Sequence, residues 1–391
     1  MTKQCSLATN VAGIKFPSCI YNASGPRTGS SAAMGKIAAS ASGGVLAKSA
    51  TIVKQVGNPQ PRTWHSTNPH VASLNSEGLP NAGIEYYVAQ TTIVESMGEN
   101  LDKKPYMVSI SGKTLQDNLQ MISTVEKAIA QDGSMISALE LNLACPNVIG
   151  KPIIGYDFGQ LEQVLEAVCK CPLFQKLPLG LKLPPYLDGP HFDQVARIIN
   201  MYEGTVKYVA SINTIGNALS VDAQAEMTSI SSNGGFAGLS GPAVKYTALA
   251  NVHKLRQLLK PSIDVVGVGG VQSGTDAFEM LLCGASAVQV GTCHWIEGPS
   301  CFDRICKELE DLMTIKGYTS IADFQGKLKP WSKEGAAKSR EARQSESLSL
   351  PTATTKQIPV KSVLDSSLVN LVLLVIIAML LADKFGVVSF S

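Results

Sequence analysis

A cysteine, two lysines and four asparagines are residues of this chain whose types could do chemistry. Cys145 lies in E-L-N-L-A-C-P-N between Asn142 and Asn147. A thiol of ordinary pKa, about 8.5, is partly ionised near neutral pH and can act as a base or nucleophile. Lys48 and Lys182 each close an apolar run, where a core residue would be apolar, and a buried ammonium needs a partner to offset its desolvation. Asn75, Asn142, Asn147 and Asn213 offer amides that donate and accept side by side. Taken singly, a free cysteine is more often a small buried hydrophobe and an asparagine more often a turn residue.

Glycines form the second candidate group. Gly267-Val268-Gly269-Gly270 precedes a helix opened by Ser273 or Thr275, and Gly291-Thr292 follows the next apolar run. Such loops let backbone N–H groups reach a phosphate, although tight turns need glycine for their own sake. Either a phosphorylated substrate or flavin mononucleotide (FMN) fits there. No G-x-G-x-x-G opens the chain, which disfavours a dinucleotide fold.

The elements that must position these groups repeat. Apolar runs rich in Val, Ile and Ala occur near 19 to 24, 43 to 49, 105 to 111, 136 to 143, 179 to 183, 207 to 213, 263 to 268 and 287 to 292, most followed by a stretch of helical character. Eight parallel strands with long crossovers predict an α/β fold, a closed (β/α)8 TIM barrel over residues 1–329. Chemistry in such a barrel gathers at the C-terminal strand ends, where Asn22-Ala23-Ser24-Gly25, Lys48-Ser49, Asn142, Lys182, Asn213-Thr214, Gly269-Gly270 and Gly291-Thr292 fall.

Composition narrows the function. The 391 residues are 45% hydrophobic and 16% charged, with 33 Lys and Arg against 31 Asp and Glu, so there is no basic field for a nucleic acid. Nine scattered cysteines and a start without a signal peptide's charged and apolar blocks predict a reducing, cytoplasmic compartment. Cys169 and Cys171 have no second pair at metal-site spacing, and no metal is expected.

Beyond the barrel, residues 330–365 are polar and rich in Ser, Thr, Ala and Lys, which predicts a disordered linker. Within 366–391, Leu368 to Ala382 is almost wholly apolar. A helix over 366 to 382 would span roughly 26 Å at 1.5 Å per residue, just short of a bilayer core of about 30 Å. The reading is a C-terminal hydrophobic helix that tethers a cytoplasmic catalytic domain to a membrane; a helix docked on a protein surface is the alternative.

L-N-S-E-G-L-P-N at 74 to 81, E-L-N-L-A-C-P-N-V-I-G-K-P at 140 to 152, K-L-P-P at 182 to 185, I-N-T-I-G-N at 212 to 217, G-F-A-G-L-S-G-P-A at 235 to 243 and G-V-G-G-V at 267 to 271 together resemble class 1 dihydroorotate dehydrogenases. The resemblance runs from about Leu7 to Lys329 and is strongest to the fumarate-using, homodimeric subgroup. It implies oxidation of (S)-dihydroorotate to orotate in pyrimidine biosynthesis, with FMN as cofactor, fumarate reduced to succinate as second substrate, and a homodimer.

The same resemblance assigns roles. Cys145 is the base, working with Lys48 and Lys182. Asn75, Asn142, Asn147 and Asn213 read the substrate ring, Thr214 adds a hydroxyl, and Lys48 with the backbone of Gly78 and Leu79 holds the carboxylate. FMN is held by Ala23, Ser24, Gly25, Lys48, Ser49, Asn142, Lys182, Gly241, Gly269, Gly270, Gly291 and Thr292, the last four around its phosphate. Lys182 faces the flavin's N1 and O2 edge, where a cation offsets the negative charge that hydride delivery brings.

Three departures touch the substrate rim: Ala144 stands where the family usually has serine, Glu77 where methionine is common, and 63 to 73 is longer. A carboxylate facing an anionic substrate is unfavourable, so the Glu77 side chain is expected to point to solvent. The apolar tail is a further departure, because quinone-using relatives are membrane-bound through an N-terminal segment and use a serine base. Rival readings are therefore a quinone acceptor, or reduction of another free pyrimidine or of a tRNA uridine on the same scaffold. A flavoprotein kept only as a scaffold would have lost the base or the amides.

Overall fold

Each of the eight apolar runs contributes one parallel strand in the computed structural model, which describes residues 5–67, 69–132, 135–144 and 153–349. The strands are β1 (Ile20–Asn22), β2 (Val45–Leu46), β3 (Tyr106–Ile110), β4 (Ile136–Asn142), β5 (Leu179–Leu183), β6 (Val206–Ser211), β7 (Asp264–Val268) and β8 (Ala287–Val290). They pair in the order β1-β8-β7-β6-β5-β4-β3-β2. No backbone ladder joins β1 to β2; the side chain of Asn22 bridges that seam, donating to the Leu46 C=O at 2.7 Å and accepting from its N–H at 3.0 Å.

Helices return the chain between strands: α1 (Ser31–Ala38), α2 (Ile84–Val88), α3 (Gln90–Met97), α4 (Leu115–Asp132), α5 (Phe158–Val168), α6 (Gly189–Met201), α7 (Lys245–Leu258), α8 (Gly274–Leu282), α9 (Thr292–Glu297) and α10 (Ser300–Lys316). Local chemistry explains their limits. Asp157 and Asp188 cap α5 and α6 by accepting from Gln160 N–H and His191 N–H, each at 3.0 Å. Leu161, Val164, Leu165 and Val168 repeat at three and four residues and form the buried stripe of α5.

Period-two alternation divides the strands' side chains. Leu139, Leu141, Leu181, Val265 and Val288 join the larger core, to which the helices contribute. Met107, Ala138, Tyr208, Val266 and Ala287 pack in a second cluster together with Val11 and Phe16 from the N-terminal hairpin Thr9–Val11 with Ile14–Phe16. That hairpin closes the N-terminal ends of the strands: Ala12 N–H donates to Asp264 Oδ2 at 2.7 Å and Thr9 Oγ1 to the Ser286 C=O at 2.8 Å.

At the opposite end, the chain leaves the barrel after β2 and after β6 to build an antiparallel cap sheet. Its order is Ile215–Ala218, Ala237–Ser240, Ser73–Asn75, Thr63–His65. Two long excursions thus meet through one ladder, in which Asn75 is in register with both Gly238 and Thr63.

The chain divides into two units, Met1–Leu328 and Lys329–Ser391. Within the stretch expected as linker, Lys333–Ser349 form a helix, α11. Its Ala, Glu, Lys, Arg and Gln residues favour helix without needing an apolar face to dock. Among the described residues no helix is long and apolar enough to cross a membrane, and the apolar run at 368 to 382 lies outside them.

Candidate active site

The polar strand ends link to one another side by side. Ser49 N–H donates to Ser24 Oγ at 2.7 Å, the Ser24 and Ser49 hydroxyls are 3.1 Å apart, and Ser49 Oγ lies 2.8 Å from Ser109 Oγ. Asn142 Nδ2 donates to Ser49 Oγ at 3.4 Å, so the ends of β1 to β4 share one hydroxyl shelf. Ser109, buried at an inward position of β3, was not picked out from sequence. Ala23 N–H extends the shelf to β8 by donating to the Val290 C=O at 3.0 Å. Gly25 closes a tight turn with Thr28, whose hydroxyl donates to its C=O at 2.9 Å, and Lys48 is buried just beyond β2.

Two of the expected ring readers hold the approach to the cysteine loop. Asn142 Oδ1 accepts from Ala144 N–H at 3.0 Å, and Asn213 Nδ2 donates to the Ala144 C=O at 3.4 Å. Ala144 immediately precedes Cys145 in sequence; Cys145 and Asn147 lie outside the described residues. Thr214 packs on Gly238 of the cap sheet, where an added Cβ would come within 2.2 Å of Thr214 Oγ1.

The segment from Glu77 to Asn81 is locked in a conformation that needs support. Gly78 has φ +68° and Leu79, not a glycine, φ +53°. Asn58 N–H donates to the Glu77 C=O at 2.9 Å and Asn81 Nδ2 to the Leu79 C=O at 2.8 Å. An added Cβ at Gly78 would lie 2.5 Å from Asn58 Oδ1. Glu77 itself corrects the expectation of a solvent-facing side chain: its carboxylate sits 3.2 Å from Arg62 Nε, with side-chain exposures of 12% and 18%. Arg62 is anchored by donating from Nη1 to the Val56 and Asn58 carbonyls at 2.9 and 3.2 Å. A fixed guanidinium can pair the carboxylate without sending it into water.

The glycine loops meet from β7, β8 and the cap sheet. Gly269 and Gly270 have φ of +126° and +75°, and an added Cβ at Gly270 would lie 2.9 Å from the backbone N of Lys245 in α7. Gly241 has φ +84°, and Thr292, following Gly291, has its hydroxyl 3.1 Å from that of Ser240. Of the two candidate caps of α8, Ser273 serves: its Oγ accepts from Asp276 N–H at 3.1 Å while Asp276 Oδ2 accepts from Ser273 N–H at 2.9 Å. That helix start is therefore filled by its own carboxylate.

Lys182 is buried, and its ammonium donates to Gln289 Oε1 at 3.0 Å. Burial pulls its pKa down to about 8, against the neighbouring carboxylate of Glu140, which holds it up. Gln289, Glu140, Tyr21 and Tyr208 around it were not singled out from sequence. The available signal was a polar residue at an inward position of a strand that is otherwise leucine-rich, as Glu140 is in I-S-A-L-E-L-N. A second polar chain also went unread: His70 Nε2 and His65 Nδ1 lie 2.9 and 2.6 Å from the buried Ser73 hydroxyl, beside Trp295.

A family model described as dihydroorotate dehydrogenase matches residues 6–313. Dihydroorotate dehydrogenase A (fumarate) of Lactococcus lactis subsp. cremoris (strain MG1363) is 44% identical over 323 residues, which are 83% of this chain and 99% of that one. Dihydroorotate dehydrogenase (fumarate) of Saccharomyces cerevisiae is 43% identical over the same length, 98% of that protein, and its counterpart in Lachancea kluyveri is 41% identical.

Proposed function

Because the chain belongs to the dihydroorotate dehydrogenase family, we propose that it oxidises dihydroorotate to orotate in pyrimidine biosynthesis, with FMN as cofactor and fumarate as electron acceptor. The observation that carries this reading is the match over nearly the full length of relatives whose names specify fumarate.

The residues fit the cofactor. Gly269 and Gly270 hold left-handed backbone that brings their loop hard against Lys245 at the start of α7, the serine shelf offers hydroxyls, and Lys182 offers a buried cation to a carbonyl-rich ring. Ala23, Ser24, Gly25, Lys48, Ser49, Asn142 and Lys182 would hold the ring system, and Gly241, Gly269, Gly270, Gly291 and Thr292 the ribityl phosphate. Bound there, FMN would supply the two-electron redox chemistry that links oxidation of dihydroorotate to reduction of fumarate to succinate.

Everything else falls to the chain. Cys145 takes the proton from the neighbouring ring carbon, a positioned base being worth roughly 10² to 10⁴ in rate. Asn75, Asn142, Asn147 and Asn213 match the ring's donors and acceptors, with Thr214 beside them. Lys48 and the backbone of Gly78 and Leu79 hold the substrate carboxylate. The Ala144 contacts of Asn142 and Asn213 fix where the cysteine loop begins.

The barrel is proposed to work in the cytoplasm as a homodimer, with residues 366–391 as a membrane tether. The apolar run from Leu368 favours a quinone as the second acceptor to test. Chain with and without residues 331–391 is purified, its flavin identified after denaturation, and dihydroorotate oxidation followed with fumarate or a soluble quinone as sole acceptor. Fumarate-dependent turnover that survives truncation supports the proposal. Turnover with quinone alone replaces the acceptor, and no turnover with either overturns the reading.

A further inference from the structure

The barrel interior should be apolar, yet polar side chains from β1, β4, β5, β6 and β8 meet there. Glu140 is 1% exposed, Gln289 0% and Lys182 7%, with Tyr21 and Tyr208 beside them. Lys182 is in register with Asn142 at the end of the strands, whereas Glu140 is in register with Gly180, one layer deeper. The two charged groups are joined through an amide. Lys182 Nζ donates to Gln289 Oε1 at 3.0 Å, and Gln289 Nε2 donates to Glu140 Oε2 at 2.9 Å and to Tyr21 Oη at 3.2 Å.

This chain has one direction. Turning the Gln289 amide over would set its NH2 against the ammonium and its oxygen against the carboxylate, so the two charges fix the amide and the amide ties them together. A carboxylate this deep is costly to bury and is kept only where it is compensated. None of the roles assigned above uses Glu140.

We propose that Glu140 is a positioning residue for Lys182: acting through the Gln289 carboxamide, its carboxylate keeps the Lys182 ammonium charged and aimed at the plane of the strand ends. The inference rests on the reading that FMN binds there. The phenols of Tyr21 and Tyr208 also adjoin this chain, and burial holds both far above their usual range and therefore neutral. The Tyr208 hydroxyl adjoins the carboxylate but makes no well-aligned hydrogen bond. Burial raises the pKa of Glu140 and Lys182 lowers it, which is the reciprocal half of the same coupling.

The test uses FMN-loaded wild type, Glu140→Gln, Gln289→Leu and Lys182→Met. The flavin's midpoint potential is measured against pH, and the break that disappears in Lys182→Met marks the Lys182 ionisation. Loss of the carboxylate, or of its link, moves that break to lower pH by at least tenfold in proton concentration. A break that stays in place in Glu140→Gln overturns the inference, whatever Gln289→Leu does. Should Glu140→Gln not fold, Gln289→Leu decides alone, since it cuts the link with Glu140 present. Wild type that binds no FMN sinks the cofactor reading instead. The coupling is then read from FMN-free chain: Lys182 ionises below its unfolded value of 10.5, so stability rises with pH from about 8 to 10.5. In Glu140→Gln that rise begins at lower pH; an unmoved onset overturns the inference.

Discussion

The carboxamide of Asn22 completes the barrel at Leu46, accepting its N–H at 3.0 Å and donating to its C=O at 2.7 Å, with neither Asn22 nor Leu46 exposed. Beside one backbone bond, from Gly43 N–H to the Ile20 C=O at 2.7 Å, a side chain here does part of what a backbone ladder does at the other seams. Asn22→Leu leaves two buried backbone groups of Leu46 without partners, each costing about 1 to 3 kcal/mol. The thermal midpoint is expected to fall by roughly 4 °C or more, and Asn22→Asp, which cannot donate, to fall at least as far. A midpoint within a degree of wild type in a calorimetric scan would show that the seam does not depend on Asn22.

Gly180 is required by Tyr208. An added Cβ at 180 would stand 2.0 Å from Tyr208 Cζ, inside a fully buried ring that has no room to move. Gly180→Ala is expected to destabilise by about 2 kcal/mol or more, as overpacking of a tight core does. Removing the ring relieves the clash, so Gly180→Ala with Tyr208→Ala should cost less than the two single changes added. Strict additivity in a denaturant-unfolding cycle would contradict this packing.

How much of this was legible in the sequence depends on where each contact's partner lies along the chain. The eight strands could be read because each is a continuous apolar run of parallel-sheet character, and Lys48, Ser49, Asn142 and Lys182 could be placed at their ends by counting. The Asn22–Leu46 seam, the 107-residue step from Lys182 to Gln289 and the Arg62–Glu77 pair could not, because each joins residues whose neighbourhood only the closed barrel and its cap create. Glu77 shows the physics most plainly. A carboxylate turned to solvent was expected, whereas a fixed guanidinium pairs it instead. The helix α11 was missed for the opposite reason, since a polar composition that reads as linker can also satisfy its backbone locally.

Arg62 is expected to matter more for substrate affinity than Glu77. With the carboxylate already paired, Glu77→Gln should change the KM for dihydroorotate by less than about threefold. Arg62→Gln leaves a poorly hydrated negative charge two residues from Asn75, and repulsion of the anionic substrate should raise KM on the order of tenfold. Arg62 also ties down the Val56 and Asn58 carbonyls, so the double change separates the two effects. Recovery of KM in Arg62→Gln with Glu77→Gln assigns the loss to charge; no recovery assigns it to the loop.

His294 should make the protein acid-sensitive well above the carboxylate range. Its imidazole is 4% exposed against the Phe302 ring, and burial, helped by the charge of Arg27, pulls its pKa from 6.5 to about 4. The folded state therefore holds it neutral while the unfolded chain takes a proton near pH 6.5, so stability is full above that pH and is lost as pH falls towards 4. The loss reaches on the order of 3 kcal/mol at the lower limit. His65, lowered by burial and by the neighbouring His70, acts in the same direction, so a single substitution leaves a residual slope. His294→Gln is expected to flatten most of the fall in thermal midpoint between these limits, and His294→Gln with His65→Gln to flatten it further. A wild-type midpoint that does not fall across that window would mean that His294 is protonated in the folded protein, against its burial beside Arg27.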